Sequence, residues 1–230
     1  MAASVTSRTS SVCLLGLKRN KQFAREGFSL VEVMVAVAVL AVLLGVGIPA
    51  IGDWIQNRQV SVLAESIASG LRQAQSEAVQ RNTAIDMVMT TSDVTSVSNP
   101  STVTLTAGGL AKTDTALTGV NWMLRVSGAT TAAGFILGKT SGDGSPNARF
   151  SGPAGVTFSP LGRVSASIAA DGTATAPAGT LVFWVKNPYV NSAQDMKRCV
   201  YLSTGGSVRL CDPRAVSPDA RACTPACAIP

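Results

Sequence analysis

The stretch that decides the fold is GFSLVEVMVAVAVLAVLLGVGIPAI, residues 27–51. Its one charged side chain is the carboxylate of Glu32, and from Val33 to Ile51 no residue is charged or strongly polar. At about 1.5 Å per helical residue, 28–51 would cover the roughly 30 Å hydrocarbon core of a bilayer. The stretch therefore predicts a membrane-spanning helix. A carboxylate at mid-bilayer costs about 2.5–3.5 kcal/mol, and somewhat less towards the interface, so Glu32 calls for a specific role.

The residues around Glu32 resemble a known processing signal. Gly27-Phe28-Ser29-Leu30-Val31-Glu32 is similar to the cleavage and methylation site of type IV prepilins. The resemblance implies that a prepilin peptidase cuts after Gly27, that Phe28 becomes the N-methylated N-terminus, and that Glu32 is needed for assembly. In a filament core of low dielectric, the ammonium of one helix and the carboxylate of its neighbour offset each other's desolvation and fix the axial register. Pro49 lies where pilin helices carry a proline, which removes one backbone donor and kinks or locally unwinds the helix.

Two other interpretations of the same stretch account for less of it. A secretory signal peptide has a short apolar region with a small-residue cleavage site after it, whereas here the glycine precedes the run and the run is longer. An ordinary signal anchor explains the hydrophobicity equally well, but it does not explain Gly-Phe-Ser-Leu-Val-Glu. The order of glycine, acid and apolar run therefore favours the prepilin.

Much of the net charge lies before the expected cut. The whole chain has 19 Lys and Arg against 13 Asp and Glu, a net of +6. Residues 1–27 hold five of the basic residues and one acid, so the remainder has 14 against 12 and a net of +2. A basic leader fits the positive-inside rule and predicts a single pass through the bacterial inner membrane, with the C-terminal domain in the periplasm. The basic pI is thus weak evidence for nucleic-acid binding.

A helical pattern continues beyond the apolar run. Apolar residues recur at steps of three and four while charged residues occupy the opposite face, which predicts an amphipathic helix that stops near Asn82-Thr83. The recurring apolar positions are Val60, Leu63, Ile67, Leu71, Ala74 and Ala78.

From Thr83 the apolar period changes to two, which predicts strands separated by turns rich in Gly, Ser, Ala and Pro, such as 141–146 and 171–179. The expected fold class is α+β, a long N-terminal membrane-spanning helix packed on antiparallel β-sheets. The predicted strands are 85–89, 103–105, 120–126, 135–137, 156–158, 163–168, 181–186, 199–203 and 207–211.

The expected organisation is therefore a cleaved leader, a pilin helix, a globular domain and a tail. The leader is 1–27. The helix is 28–82, with 28–51 in the membrane or filament core and 52–82 amphipathic. The β-rich domain is 83–211, and 212–230 is a cysteine-containing tail.

Three segments narrow the resemblance within the pilins. Residues 71–82 resemble the helix end of the FimT/FimU/GspH group of minor pilins and pseudopilins, 156–163 its central strand and turn, and 198–211 its closing hairpin; 90–155 match only loosely. The resemblance implies a structural subunit of the initiating or tip complex of a type IV pilus and not an enzyme. Its partners would be other major and minor pilins, the prepilin peptidase, the inner-membrane assembly platform and membrane lipid. A minor pseudopilin of type II secretion is an alternative that the sequence does not separate from a pilus subunit.

The cysteines predict disulfides. Cys13 lies in the leader, which leaves an even number in the translocated domain, as expected for an oxidising compartment. Zinc is disfavoured because the chain has no His and the cysteine spacings match zinc sites poorly. The remaining cysteines are Cys199, Cys211, Cys223 and Cys227.

The hairpin suggests how these cysteines pair. If 204–206 form its loop, Cys199 faces Cys211, and a non-hydrogen-bonded pair approaches to about 4.5 Å at Cα, within disulfide range. The prediction is Cys199 with Cys211 and Cys223 with Cys227. Pairing of the tail back onto the hairpin is the alternative.

No catalytic constellation emerges from the chain. Without His there is no acid-base triad, and no glycine-rich phosphate loop opens a helix, so neither a cofactor nor a metal is expected.

A basic cluster around the hairpin suggests a DNA-binding function as a second alternative. Lys197, Arg198, Arg209 and Arg214 would form a patch for phosphate backbones, although a solvated surface explains them too. Some FimT-like proteins are DNA receptors in natural transformation and carry Gly-Arg-x-Arg in this hairpin. The matching residues here are Gly206-Ser207-Val208-Arg209, so one arginine is missing.

Overall fold

The computed structural model describes residues 28–95, 97–110, 121–140, 144–190, 196–224 and 226–227, apart from the side chains of 46–51 and 53. The predicted leader, with Gly27, lies outside the described residues. The chain divides into two compact units, Met1–Gly45 and Val46–Pro230.

The long helix, α1, is formed by Leu30–Arg81 and has 52 residues. Across the part of the chain that the structure describes, no helix combines the length and the hydrophobicity needed to cross a membrane. The predicted span 28–51 ends in 46–51, whose side chains lie outside that part. The helix is unbroken at Pro49.

In the second unit, one face of α1 is buried as the three- and four-residue spacing predicts. All six predicted core positions from Val60 to Ala78 are buried, together with Ala64 and Ala68 between them. The helix stops at Asn82, which takes the left-handed conformation with φ 50°. There the Asn82 and Thr83 N–H groups donate to the carbonyls of Val79 and Ala78, a pattern that satisfies the last free carbonyls of a helix.

In the described part of the chain, ten strands form two antiparallel sheets. The larger sheet has the order β3-β2-β1-β5-β6-β7, and the smaller has the order β10-β9-β8-β4. The strands are β1 Ile85–Thr90, β2 Asn121–Val126, β3 Phe135–Lys139, β4 Arg149–Ser151, β5 Gly155–Phe158, β6 Val164–Ile168, β7 Ala174–Thr175, β8 Leu181–Lys186, β9 Lys197–Leu202 and β10 Val208–Cys211; a 3-10 helix, Ala132–Gly134, precedes β3.

The buried face of α1 packs against both sheets in one core. Ile67 and Leu71 of the helix share a cluster with Phe158 of the larger sheet and with Phe183 and Leu202 of the smaller one. The α+β prediction of a helix packed on antiparallel sheets is confirmed.

The strand predictions were wrong in two respects. Residues 103–105 make only an isolated bridge, between Thr90 and Leu105. Two strands were not predicted: β4, which has three residues, and β7, which has two and lies inside the predicted turn 171–179. Strands this short show no readable alternation, and β4 is ordered by pairing with distant β8, from Arg149 opposite Lys186 to Ser151 opposite Trp184.

Strand β1 is buried on both faces, although its outward side carries an acid. Val94 in the 91–110 segment packs over that side, with Val88 and Met123 beneath it. Under the same segment lies Asp86, which is only 3% exposed. Its carboxylate accepts hydrogen bonds from Thr157 Oγ1 at 2.8 Å and Arg125 Nε at 3.3 Å. A buried charge is thus compensated by neighbours on β5 and β2.

Candidate functional site

The N-terminal part of α1 is apolar around its whole circumference. From Leu30 to Gly45 every described side chain is exposed, and the large apolar ones range from 49% exposed at Val33 to 75% at Leu30. A helix that is hydrophobic on all sides is stable when it is buried. Nothing in the described residues of the first unit covers this surface, and its composition suits an apolar environment.

Glu32 places a carboxylate in this apolar surface. It lies in the first turn of α1 and lines a shallow groove with Phe28, Val33, Ala36 and others of the same face. No cation of the described chain forms an ion pair with it. An acid in the first turn is favoured by the free N–H groups of the helix start, yet its charge needs a partner once the segment is buried. Phe28, directly before the helix, is 81% exposed.

A second feature is a junction between α1, the β5–β6 turn and the β9–β10 turn. The side chain of Gln75 donates from Nε2 to the Gly162 carbonyl at 2.8 Å. The Val164 N–H donates to the Thr204 carbonyl at 3.0 Å. Gly206 lies against both Gln75 and Gly162, so closely that an added Cβ would overlap them. The three segments with the FimT/FimU/GspH resemblance, 71–82, 156–163 and 198–211, therefore meet here.

The junction depends on Gly206 lacking a side chain. Its φ of +92° lies in the left-handed region that other residues rarely adopt. We expect Gly206→Ala to lower the free energy of unfolding by about 2–4 kcal/mol, because backbone strain and overpacking add. Urea unfolding of the oxidised protein measures the change.

Gly205→Ala is the matched control in the same turn. Its φ is outside the left-handed region, and the nearest atom to an added Cβ is Ser203 Oγ at 3.7 Å, an ordinary contact. Equal shifts of the urea midpoint for the two variants would contradict the junction.

The disulfides join the hairpin to the tail. They are Cys199–Cys227 and Cys211–Cys223, with Cα atoms 6.7 and 5.1 Å apart. The predicted pairs, Cys199 with Cys211 and Cys223 with Cys227, are wrong, and the alternative in which the tail pairs onto the hairpin is correct. The predicted register is confirmed, since Cys199 is opposite Cys211 in the β9–β10 ladder.

The hydrogen-bond pattern of the hairpin differs from the one that the predicted cysteine pairing assumed. The Ser203 N–H donates to the Ser207 carbonyl at 3.0 Å, which marks this position as a hydrogen-bonded pair. Hydrogen-bonded and non-hydrogen-bonded pairs alternate along the hairpin. Cys199 and Cys211, four residues away from Ser203 and Ser207, are therefore also a hydrogen-bonded pair, with Cα atoms about 5.5 Å apart instead of 4.5 Å. Both cysteines face the same side, where the tail supplies their partners.

Backbone and side-chain contacts also hold the tail. The Asp212 N–H donates to the Arg221 carbonyl at 2.7 Å, and Asp212 forms a parallel bridge with Ala222. A hydrogen bond from the Arg221 side chain lowers the pKa of Asp219 to about 2. This pair therefore stays ionised down to the acidic limit of the usual carboxyl range.

The structure places two of the four basic residues, Arg198 and Arg209, on opposite sides of the hairpin. Arg209 is opposite Tyr201 in the ladder and faces the same side as the cysteines, whereas Arg198 lies one position off that alternation and faces the opposite side. The Arg198 guanidinium pairs with the Asp212 carboxylate. Lys197 is about 13 Å along the strand from Tyr201, and Arg214 is exposed in the tail.

Sequence reasoning missed the part that Gln75 plays at the junction. The only available signal was its position directly after buried Ala74, which places it at the edge of the buried helix face. Its partner Gly162 lies 87 residues away in the chain, so the contact was not readable from local pattern.

Comparison with known proteins defines the class of the N-terminal segment. Residues 23–48 match the prokaryotic N-terminal methylation motif, which confirms the predicted prepilin signal. This motif, on a long helix followed by antiparallel sheets, supports a type IV pilin.

More specific likenesses are to solved structures. A crystal structure of the type IV minor pilin FimU of Pseudomonas aeruginosa PAO1 is 15% identical, covers 68% of this chain and 91% of its own, and has a TM-score of 0.42. A second crystal form of FimU is 15% identical, covers 65% and 90%, and has a TM-score of 0.39. No curated protein matches the chain.

Proposed function

We propose that the protein is a minor type IV pilin, a structural and non-catalytic subunit that enters the initiating or tip complex of a pilus. The observation that carries the proposal is the methylation motif at residues 23–48, in a segment whose helical residues 30–45 are apolar, apart from Glu32, and exposed on every side. A soluble catalytic domain has no use for such a segment, whereas a filament subunit buries it against its neighbours.

Before assembly the precursor is held in the inner membrane by residues 28–51. The basic leader stays in the cytoplasm, and the domain that contains both sheets lies in the periplasm. That oxidising compartment suits the two disulfides of the tail. The prepilin peptidase then cuts after Gly27, and Phe28 becomes the methylated N-terminus.

On assembly the helix passes from lipid to the filament core. Fully burying one large apolar side chain contributes about 1.5–3 kcal/mol relative to water. About a dozen such side chains are exposed between Phe28 and Leu44, so burial of the segment is strongly favourable. Because the hydrophobic effect is non-directional, this burial does not fix the axial position of the helix against its neighbours. Glu32 supplies the register, because its carboxylate must meet the N-terminal ammonium of another pilin.

The domain beyond the helix is the part that other pilins and the assembly platform contact. Its tail is fixed by both disulfides, and its turns meet at Gln75, Gly162 and Gly206, so it offers a rigid surface. A DNA-receptor function has less support, because Arg198 is paired with Asp212 and faces away from Arg209.

Processing is the direct test of the proposed function. We expect Gly27→Ala to abolish cleavage when the chain is produced together with a prepilin peptidase, because the enzyme in this family requires the glycine before the cut. An immunoblot then shows only the precursor. Gly16→Ala, at another glycine of the leader, serves as the control and should be processed like wild type. A mature band for Gly27→Ala would reject the cleavage site.

A further inference from the structure

An aromatic side chain and a cation stack on the surface where the second unit begins. Trp54 is 64% exposed, and the guanidinium carbon of Arg58 lies 5.8 Å from the centre of its ring. Ile55 beside them is 48% exposed. These three residues border a shallow groove whose other wall includes Gly144 and Pro146. We call Trp54, Ile55 and Arg58 the Trp54 face.

This exposure is unusual for the part of the helix that belongs to the second unit. Among the described residues 54–81 of α1, the large apolar side chains that are exposed are Trp54, Ile55 and Val79. The other two tryptophans are less exposed. Trp122 is buried and donates from Nε1 to Ser66 Oγ at 3.0 Å, and Trp184 is partly buried against the cysteine cluster. An uncovered Trp at one end of the domain therefore calls for a specific environment.

The position of the Trp54 face along the chain indicates which environment that is. Between Glu32 and Asp53 the sequence has no charged residue. As a helix, these roughly 20 residues correspond to about 30 Å, the thickness of the hydrocarbon core. Trp54 follows immediately, at the depth where Trp and Tyr concentrate in membrane proteins because one end of the ring is apolar and the other is polar.

The stacking of Arg58 on the Trp54 ring leaves its guanidinium able to bind a phosphate group. A guanidinium that lies over an aromatic ring keeps its N–H groups, which point outward in the plane, free to donate. Two of them match the oxygens of one phosphate. No carboxylate of the described chain pairs with Arg58. The face thus combines an interfacial aromatic with a cation of the right charge for lipid headgroups.

We propose that the Trp54 face lies in the lipid headgroup layer of the membrane before assembly, with the Trp54 ring at the interface and Arg58 on a lipid phosphate. This contact sets the depth at which the precursor waits, and it is given up when the subunit leaves the bilayer. The inference rests on the proposed function, because it requires a membrane-held precursor.

The test uses the full chain reconstituted in vesicles that contain phosphatidylglycerol. Flotation first measures whether the protein is held by the membrane. Tryptophan fluorescence is then quenched by lipid that carries a nitroxide at the headgroup, by lipid that carries it deep in the acyl chain, or by aqueous iodide. The difference between wild type and Trp54→Phe isolates the signal of Trp54.

We expect headgroup nitroxide to remove most of the Trp54 signal, with smaller losses for deep nitroxide and iodide. Arg58→Glu should shift the balance towards iodide, and Arg58→Lys should retain part of the headgroup quenching. The double variant W54F/V79W is the control, because it moves a Trp to an exposed apolar position near the other end of the same helix. It should lose the lipid quenching and be quenched by iodide.

Three other outcomes of the flotation and quenching experiments would contradict the inference. If the protein floats but Trp54 is quenched by iodide alone, the membrane anchor stands and the headgroup contact is wrong. If the protein floats and Trp54 is protected from every quencher, the face is covered by a second copy or by the protein itself. If the protein does not float, the proposed membrane anchor fails and the inference fails with it.

Discussion

Replacing Asp86 with alanine is expected to lower the free energy of unfolding by about 3–5 kcal/mol, the cost of breaking a buried ion pair by removing one partner. The Asp86 carboxylate is bound by Arg125 and Thr157, and both members of the ion pair are largely withdrawn from solvent. Without it, the Arg125 guanidinium keeps its bond to the Pro100 carbonyl but loses its counter-charge. The 91–110 segment that covers it should loosen first.

Urea unfolding of the oxidised protein measures the loss. The control is Glu77→Ala, which removes the helical pair between Glu77 and Arg81. That pair is partly exposed, so its loss should cost only about 0.3–0.5 kcal/mol.

A double variant separates charge from packing at the same site. D86L/R125M replaces both charges by apolar side chains and should be more stable than Asp86→Ala, because no buried charge is left unpaired. An Asp86→Ala variant no less stable than Glu77→Ala would contradict the account of this site.

The second large effect is expected in assembly. Glu32→Val should be processed normally, because the glycine before the cut is retained, but it should not enter pili. An N-terminal ammonium buried without its carboxylate costs about 3–5 kcal/mol. At about 1.4 kcal/mol per factor of ten, incorporation should fall by roughly two to three and a half orders of magnitude.

The measurement is the amount of the protein in sheared pili relative to the amount processed in the membrane. Glu65→Val is the matched control, since Glu65 is an exposed acid on the same helix but beyond the apolar run. Glu32→Asp keeps the charge and should restore part of the incorporation. Normal pilus content of Glu32→Val would reject the role assigned to this carboxylate.

The local sequence pattern was sufficient to predict features that depend on a single helix or strand. The helix face from Val60 to Ala78 follows from apolar spacing, because a helix that packs on a sheet must bury one stripe. The stop at Asn82 follows from the tolerance of asparagine for the left-handed conformation.

The sequence was not sufficient to predict features that depend on contacts between distant segments. The pairing of Cys199 with Cys227 depends on the path of the tail, which the cysteine spacing does not contain. The separation of Arg198 from Arg209 depends on strand alternation in a register that one residue's shift would reverse. The four cysteines were rightly chosen as a group, but the partner of each was not readable from the sequence.

The measurement that tests the central claim most directly is the mass of the N-terminal peptide of the protein isolated from cells that contain a prepilin peptidase. The account predicts a peptide that begins at Phe28 and carries one methyl group on its amine. A chain that still begins at Met1, or one cut elsewhere than after Gly27, would contradict it.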